Sequence, residues 1–370
     1  MKKNITISFL VGLIISAAAL YFAFRNVPLK ALLRYMASIN YLWTIPSIIV
    51  GLFTFVLRAY RWQVMLAAVQ KLNFWRVFHP LMTGFMLNCT FPWRIGELAR
   101  PIILKKKENI PFSTALATVA AERVLDVSSL IIFFTIVLAN LQIDPGLSMT
   151  FGSHKLNSET LIAINKGMMM MCLILITGIV IVTVDKSRGV LKGLILRLPA
   201  LLLGSRMTLR EKSEQTLCRP LIRIIDNFAA GFSLVKEPKK ILTCLILTFL
   251  VSFLSAFPYF VMSLGCPGID LTFLEISAVM IIICFFIALP SVPGFWGLWE
   301  AGGVFALSIF GVPAKEAAGF TLANHAVQMF PVIIVGFISA VLIGINVWRI
   351  SHEIKATEWQ AVAGEPGGEK

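Results

Sequence analysis

The chain has 370 residues, of which 58% are hydrophobic and 14% are charged, and its mean hydropathy is +0.84. A water-soluble domain could not bury so much apolar surface, so the composition excludes that class and predicts a polytopic membrane protein. The net charge of +14 fits basic loops that face anionic lipid, and we expect no nucleic-acid partner. The six cysteines are scattered, which excludes a disulfide-stapled secreted domain.

Six apolar runs are long enough to cross a bilayer, which takes about 20 residues. These predicted spans are residues 5–24, 41–62, 112–141, 162–184, 239–263 and 317–347. The first span is longer than the apolar core of a signal peptide, so we interpret it as a retained helix. Residues 1–349 are predicted to form one all-α transmembrane domain, followed by a flexible, Gly/Glu-rich tail over residues 350–370.

Two shorter apolar segments, residues 74–91 and 272–289, each run into a sequence rich in proline and glycine. Proline blocks a continuous helix, and irregular backbone at membrane depth must be enclosed by protein or line a cavity. We therefore predict two re-entrant hairpins, with two kinked ordinary spans as the alternative. The residues that make the breaks are Pro92, Gly96, Pro290, Pro293, Gly294 and Gly297.

The two breaks resemble each other, because each has proline, then glycine, then a glutamate, Glu97 in the first and Glu300 in the second. A long helix with a polar pair follows each break. The loop charges give these two helices opposite directions across the membrane. Residues 41–141 and 239–347 are therefore predicted to be an inverted repeat, an arrangement typical of transporters.

Loop charges also predict the orientation of the chain. Segment 185–240 carries twelve Lys and Arg against five acids and should be cytoplasmic, whereas segment 142–161 should be external. Both termini then lie on the cytoplasmic side of the plasma (inner) membrane, although loop 25–40 disagrees. Within the basic segment, Leu191–Leu203 and Leu217–Phe232 are predicted either to lie on the inner leaflet as amphipathic helices or to form a solvated loop.

Three charged residues, Glu122, Arg123 and Asp126, fall inside the third predicted span. At about 1.5 Å per residue, Arg123 lies roughly 16 Å into its helix, near the middle of the membrane. A charge there needs a partner or a function. One hypothesis is that Arg123 and Asp126 neutralise each other within the helix. The other is that these residues join Glu97 and Glu300 in a polar site between the repeats.

Arg94, Glu97 and Arg100 recur every three residues after the first break. They could form a surface ladder of salt bridges. Alternatively, Arg94 and the free N–H groups at the start of the half-helix would suit a lipid phosphate. The start of the second half-helix, near Pro293 to Gly297, could act in the same way.

Further polar residues lie in apolar surroundings. Arg58 and Arg61, before Trp62, are expected to snorkel to the interface, with a headgroup contact as the alternative. His325 is expected to be a hydrogen-bonded packing residue, with a role in pH response or proton coupling as the alternative. The sequence has no nucleotide-binding, metal-binding or hydrolase motif, so we expect no cofactor, no metal and no enzymatic activity.

These motifs together resemble the lysylphosphatidylglycerol synthase transmembrane, or flippase-like, family. The matching residues are Arg58, Arg61-Trp62, Asn88, Pro92, Arg94, Gly96-Glu97, Arg100, Glu122-Arg123, Asp126, Pro290, Pro293-Gly294, Gly297 and Glu300. The resemblance implies a polytopic helical bundle, which in the best-understood members of the family moves an aminoacylated phosphatidylglycerol between leaflets. In that family a separate soluble domain makes the lipid.

The resulting hypothesis is a flippase-like protein for an anionic or headgroup-modified lipid, either a phospholipid or a lipid-linked precursor. Its partners would be membrane lipids and a lipid-modifying enzyme. Two alternatives stay open: a membrane-embedded transferase in lipid-linked sugar synthesis, with carboxylates as general bases, and a scaffold for cell-envelope synthesis.

Overall fold

The computed structural model describes residues 2–25, 27–91, 94–140, 149–151, 154–156, short stretches between 166 and 181, and residues 184–203, 213–231, 237–289 and 292–350. Within these residues the chain forms thirteen α-helices, a few short 3₁₀ and π turns, and one two-stranded hairpin. The predicted helical class is therefore confirmed.

The first half of the chain contains six helices and the hairpin. The helices are α1 (Lys2–Phe24), α2 (Leu29–Ser38), α3 (Thr44–Leu66), α4 (Phe74–Thr90), α5 (Gly96–Glu108) and α6 (Phe112–Asn140). A 3₁₀ turn, Tyr41–Trp43, leads directly into α3. The antiparallel strands β1 (Met149–Phe151) and β2 (His154–Leu156) fall in the predicted external segment.

The second half contains seven helices. They are α7 (Asp185–Leu203), α8 (Arg219–Gly231), α9 (Pro238–Leu254), α10 (Phe257–Ser263), α11 (Phe273–Ile287), α12 (Leu298–Ile309) and α13 (Ala314–Leu342). A π turn, Glu214–Cys218, precedes α8. The predicted amphipathic segments are thus helical where described, and α7 is tied to α8 by an ion pair between Lys192 and Asp226.

Three helical segments are long and apolar enough to cross a membrane: Tyr41–Leu66, Pro238–Ser263 and Ala314–Leu342. They correspond to three of the six predicted spans. The predicted span 112–141 is helical as α6, but it carries buried charge. The predicted span 162–184 lies largely outside the described residues, as do the tail beyond residue 350 and break residues Pro92 and Pro290. The count of six spans stays a prediction.

The helices do break at both predicted places. In the first break α4 ends at Thr90 and α5 begins at Gly96, and Arg94 between them has a left-handed backbone with φ of 48°. In the second, α11 ends at Ile287 and α12 begins at Leu298, with φ of 76° at Gly294 and 91° at Gly297. Glycine takes this conformation without the steric cost that a side chain adds. The re-entrant course of the chain stays a prediction.

Helix α4 lies at the centre of the first half, where it packs against α3, α5 and α13. The crossing with α5 is close because Gly84 and Gly96 face each other, leaving no space for a Cβ atom. Gly336 of α13 lies equally close to Met82 and Met86 of α4. Small residues at such crossings let helix backbones approach each other. These contacts bring α5, α6 and α13 close to α3, and so position the site described next.

Candidate functional site

Charged side chains from three helices converge inside the bundle. Helix α3 supplies Arg58 and Arg61, α5 supplies Glu97 and Arg100, and α6 supplies Glu122, Arg123 and Asp126. We call these seven residues the arginine cluster. On α3 the two arginines are three residues apart and therefore share one helix face, as do the two acids of α6, which are four apart. That face of α3 meets α6 in the folded chain.

Glu122 is the buried centre of the cluster and is fully inaccessible to solvent. Arg100 binds it with two parallel hydrogen bonds, Nη1 to Oε1 at 3.1 Å and Nη2 to Oε2 at 2.8 Å. Arg123 donates to Oε1 at 2.6 Å, and Arg61 Nη2 lies 3.6 Å from the same oxygen. A carboxylate with three guanidinium partners is held in one orientation, because the fork of each arginine fixes its geometry.

Asp126 contacts three of the four arginines in the cluster. Arg61 Nη1 donates to Oδ1 at 2.5 Å and also to Thr248 Oγ1 of α9 at 2.8 Å. Arg58 and Arg123 reach Oδ2 at 3.3 Å and 3.1 Å. Asp126 therefore links α3 to α6, and Arg61 extends the link to α9.

Aromatic rings complete the surroundings of the cluster. The Arg100 guanidinium lies 4.0 Å above the ring of Trp62, whose own N–H donates to Thr118 Oγ1 at 3.0 Å. The ring of Phe85 lies about 6 Å from the guanidinium groups of Arg58, Arg100 and Arg123. Arginine is favoured over the face of an aromatic ring when it is removed from water.

The cluster has an excess of positive charge, because four arginines face three carboxylates. Its inner members, Arg61, Arg100 and Glu122, are buried, whereas the side chains of Glu97 and Arg123 are about 30% exposed. Arg123 Nη1 lies 3.9 Å from Glu97 Oε1, which is an open pair rather than a tight one. The buried part therefore fixes the geometry, and Glu97 and Arg123 form the more accessible part of the cluster.

A cavity of about 240 Å³ lies beside the cluster, between helices α3, α4, α10, α11, α12 and α13. We call it the central cavity. Arg58 lines it, together with Tyr259, Trp299, His325 and Gln328. Arg94 lies behind the cavity wall. The Arg94 guanidinium donates to the Ile287 carbonyl at 2.5 Å and lies 5.2 Å from the Phe295 ring. Both Ile287 and Phe295 line the cavity.

A second polar group contains Glu300 of α12 and His325 of α13, both fully buried. His325 Nδ1 lies 2.6 Å from Glu300 Oε1, and Glu300 Oε2 accepts the Gly297 N–H at 2.7 Å. The imidazole lies against two indole rings, Trp296 and Trp299, each with its centroid at 4.4 Å. Glu300 is thus both the cap of α12 and the partner of His325.

Several predicted residues come together, but not as one site. Glu97, Arg100, Glu122, Arg123 and Asp126 meet in the arginine cluster, and the predicted Arg123–Asp126 pair is present within it. Glu300 does not join them, because it is bonded to His325 on other helices. Asn88 lies close to Gly96 at the α4–α5 crossing, and its Oδ1 has no hydrogen-bond partner among the described residues.

The structure does not agree with the simplest interpretations of two arginine motifs, the pair before Trp62 and the series after the first break. Arg58 and Arg61 do not snorkel: Arg61 is fully buried, and both contact Asp126. The ladder of Arg94, Glu97 and Arg100 is also wrong, since Arg94 contacts a backbone carbonyl and Arg100 contacts Glu122. At the second break the Gly297 N–H is already bonded to Glu300, so it is not a free phosphate donor.

Sequence reasoning missed several residues of the site. Thr248 gave no signal, because a single threonine in an apolar helix is common. Trp296 and Trp299 were visible only as two tryptophans at the second break, and the structure places Trp296 before the start of α12 and Trp299 inside it. Within the described part of the chain, no group of three or more His, Cys, Asp or Glu residues could hold a metal ion.

The membrane-length helices and this buried charge cluster define a class, that of polytopic helical membrane proteins with an internal polar site. Residues 9–336 match the sequence profile of the family described as the lysylphosphatidylglycerol synthase TM region, and the chain belongs to that family. A UPF0104 membrane protein of Methanocaldococcus jannaschii is 24% identical over 357 residues, which cover 93% of this chain and 97% of that protein. No solved structure matches.

Proposed function

We propose that the protein moves an anionic or headgroup-modified lipid between the leaflets of the plasma (inner) membrane. The observation that carries the proposal is the arginine cluster, a net-positive group beside a cavity that Arg58 lines, within a bundle of membrane-length helices. Membership of a family described by the membrane region of a lipid synthase supports a lipid as the substrate.

The physical problem of moving a lipid is to carry its polar headgroup past hydrocarbon. A charge at the bilayer centre costs about 2.5–3.5 kcal/mol on insertion scales. A cavity with arginine in its wall lowers that cost for a phosphate, while the acyl chains stay in lipid. The buried carboxylates hold the arginines in place, so the cationic surface does not have to be assembled when a headgroup arrives.

An inverted repeat with two re-entrant hairpins would supply the required motion. The order of helices supports this part of the proposal. A 13-residue helix, α5, is followed by the 29-residue α6, and a 12-residue helix, α12, by the 29-residue α13. The glutamate of each short helix faces a basic residue of the long one, in the pairs Glu97–Arg123 and Glu300–His325. Rocking of one repeat against the other would expose the cavity to each leaflet in turn.

The proposal includes no chemical change of the lipid. The partners would be the lipid itself and a separate lipid-modifying enzyme of the cell envelope. Both chain termini would be cytoplasmic.

The proposal is tested by reconstituting the full chain in liposomes that contain a fluorescent phospholipid, and by measuring how fast the outer-leaflet pool exchanges with the inner one. We expect protein-dependent exchange, and loss of most of it in Arg58→Gln and in Glu300→Gln. Arg76→Gln is the matched control, because Arg76 is an exposed arginine paired with Glu108 and is not among the residues that line the cavity. Lipid recovered from the liposomes should be chemically unchanged.

No exchange above that of protein-free liposomes, from protein shown to be folded, would contradict the proposal. Conversion of the lipid to a new species would instead support the transferase alternative.

A further inference from the structure

The buried pair of Glu300 and His325 differs from the arginine cluster because both of its members can gain or lose a proton. Glu122 faces guanidinium groups, which stay charged at every physiological pH, so the charge of the cluster is fixed. Glu300 faces an imidazole instead, at 2.6 Å, and the charge of histidine changes between about pH 5 and 8. Of the described residues, these two form the fully buried acid–base pair in which both members can titrate.

The net charge of the pair depends on a single proton. An ionised carboxylate beside a neutral imidazole leaves the pair with a negative charge, and one added proton makes it neutral. Because a net charge is costly to bury, burial favours the form that holds the proton. Glu300 lies in the first turn of α12, where the helix dipole favours a carboxylate, and the indole rings of Trp296 and Trp299 favour a cation on the imidazole. These neighbours place the added proton on His325.

Other titratable and charged groups lie on the helices packed around the pair. Those in or behind the cavity lining are Arg58 of α3, Cys89 of α4, Arg94 of the first break, Tyr259 of α10 and Cys284 of α11. Those nearer the ends of α13 are Tyr35 of α2, His79 of α4, and Lys315 and Glu316 of α13 itself. Helix α1, which packs on α12, has no charged residue from position 4 to 24. Within the described chain none of these groups forms a hydrogen bond or an ion pair with Glu300 or His325, so the protons of the pair set its charge.

The pair is closed to water in this conformation. Both side chains are fully buried, and His325 Nε2 has no hydrogen-bond partner among the described residues. His325 nevertheless lies in the wall of the central cavity, and the second oxygen of Glu300 accepts the Gly297 N–H at the second break. Gly297 packs so closely on the Ser16 carbonyl of α1 that no space is left for a Cβ atom. A movement of this break away from α1 would therefore displace Glu300 and open the pair to the cavity.

We propose that the Glu300–His325 pair is a proton-binding site, and that the protein couples the movement of its lipid to the transfer of this proton across the membrane. The proton enters from the water on one side, is held while the pair is enclosed, and leaves to the water on the other side, so no other bond forms or breaks. Because the closed form favours the proton and the open form releases it, proton binding shifts the balance between the two conformations. The coupling rests on the proposed function, whereas the proton-binding site can be tested without transport.

Proton binding is measured on the full chain in detergent, by NMR of nitrogen-15 in labelled histidine, whose imidazole resonances report protonation. The resonance that is absent in His325→Gln belongs to His325, and we expect it to titrate with pH. Its midpoint should move by about 1–3 pH units in Glu300→Gln, the effect of removing an opposite charge in contact. Glu316→Gln is the matched control, because Glu316 lies on the helix of His325 but pairs with Lys315, and it should leave the midpoint unchanged. Melting temperatures would show that the variants are folded.

Coupling is measured in the liposomes of the exchange assay, with a pH difference imposed across the membrane and the electrical potential clamped. We expect the fluorescent phospholipid to accumulate in one leaflet, by up to about tenfold per pH unit if one proton accompanies one lipid. The accumulation should reverse with the gradient and disappear with a protonophore. His325→Gln should show no accumulation. His79→Gln is the matched control and should accumulate lipid as the natural chain does, because His79 is a half-buried histidine bonded to Ser339 and is not among the residues that line the cavity.

Two results would overturn the inference. A His325 resonance that does not titrate, or whose midpoint is the same in Glu300→Gln, would remove the proton-binding site. Lipid exchange that stays symmetric under either pH gradient would remove the coupling. The two measurements also separate this inference from the proposed function. Absence of any lipid exchange would contradict the translocation and the coupling together, while the titration of His325 would still decide whether the pair binds a proton.

Discussion

Glu122 illustrates how a single residue holds several helices together. It accepts hydrogen bonds from Arg100 and Arg123, and Arg61 lies 3.6 Å away, so it joins α3, α5 and α6. Breaking a buried ion pair on one side is costly, because the charges left behind have neither water nor a partner.

Glu122→Gln should therefore reduce the free energy of unfolding by about 3–5 kcal/mol, measured by chemical unfolding in detergent. Glu237→Gln is the control, because Glu237, the residue just before α9, forms a half-exposed pair with Lys240 in the first turn of that helix. Its loss should cost at most about 1 kcal/mol. Equal effects of the two substitutions would contradict the central position of Glu122.

Arg100 depends on the shape of its side chain as well as on its charge. Its guanidinium binds Glu122 through two nitrogens and lies flat on the Trp62 ring. A lysine has neither the fork nor the planar face.

Arg100→Lys should for this reason destabilise the protein by about 1–3 kcal/mol although the charge is kept. The measurement is again the unfolding free energy, with Arg76→Lys at the exposed site as the control. If Arg100→Lys were as stable as the natural chain, the charge alone would account for its role.

At the scale of the element, glycine residues determine how closely α4 crosses α5 and α13. Gly336 of α13 lies where a Cβ would collide with the Met82 carbonyl and the Met86 side chain of α4. The glycine itself is unfavourable in a helix, so its presence there reflects the crossing.

Gly336→Ala should destabilise the fold by about 1–3 kcal/mol, since a backbone carbonyl cannot move aside easily. Gly193→Ala in α7 is the matched control, because no atom of the described residues, apart from its chain neighbours and its own helix backbone, lies within 4 Å of the added Cβ. There the better helix propensity of alanine should be neutral or stabilising by up to about 1 kcal/mol. Thermal unfolding of both variants compares the two sites, and a harmless Gly336→Ala would show that α4 and α13 can move apart.

At the scale of the whole molecule, orientation in the membrane follows from loop charge. The basic segment 185–240 should face the cytoplasm, and the hairpin of β1 and β2 should face outward.

Single cysteines in a cysteine-free background test this orientation. Lys192→Cys, in α7, should react with a membrane-impermeant reagent only when the cytoplasmic side is open. Lys155→Cys, in β2, should react in intact cells. The reverse labelling of the two positions would invert the topology.

Much of the site could be predicted from the sequence because its residues stand out locally. Glu122, Arg123 and Asp126 interrupt an apolar run, and charges in such a place need partners. Their partners could not be predicted in the same way. Arg58 and Arg61 are 68 and 65 residues from Asp126 along the chain, and the nearer explanation, snorkelling at a helix end, was wrong. Helix packing rather than sequence spacing brought them to Asp126.

The sequence by itself determined the class of protein, three membrane-length helices and the two helix breaks, because apolar run length and the backbone limits of proline and glycine act locally. Only the tertiary structure decided which charges share a site. It separated Glu300 and His325 from the arginine cluster and placed Arg58, Trp299 and His325 around one cavity. Contacts between side chains on different helices depend on how closely the helices cross. These distances exist only in the packed protein, where glycines allow α4 to cross α5 and α13 closely.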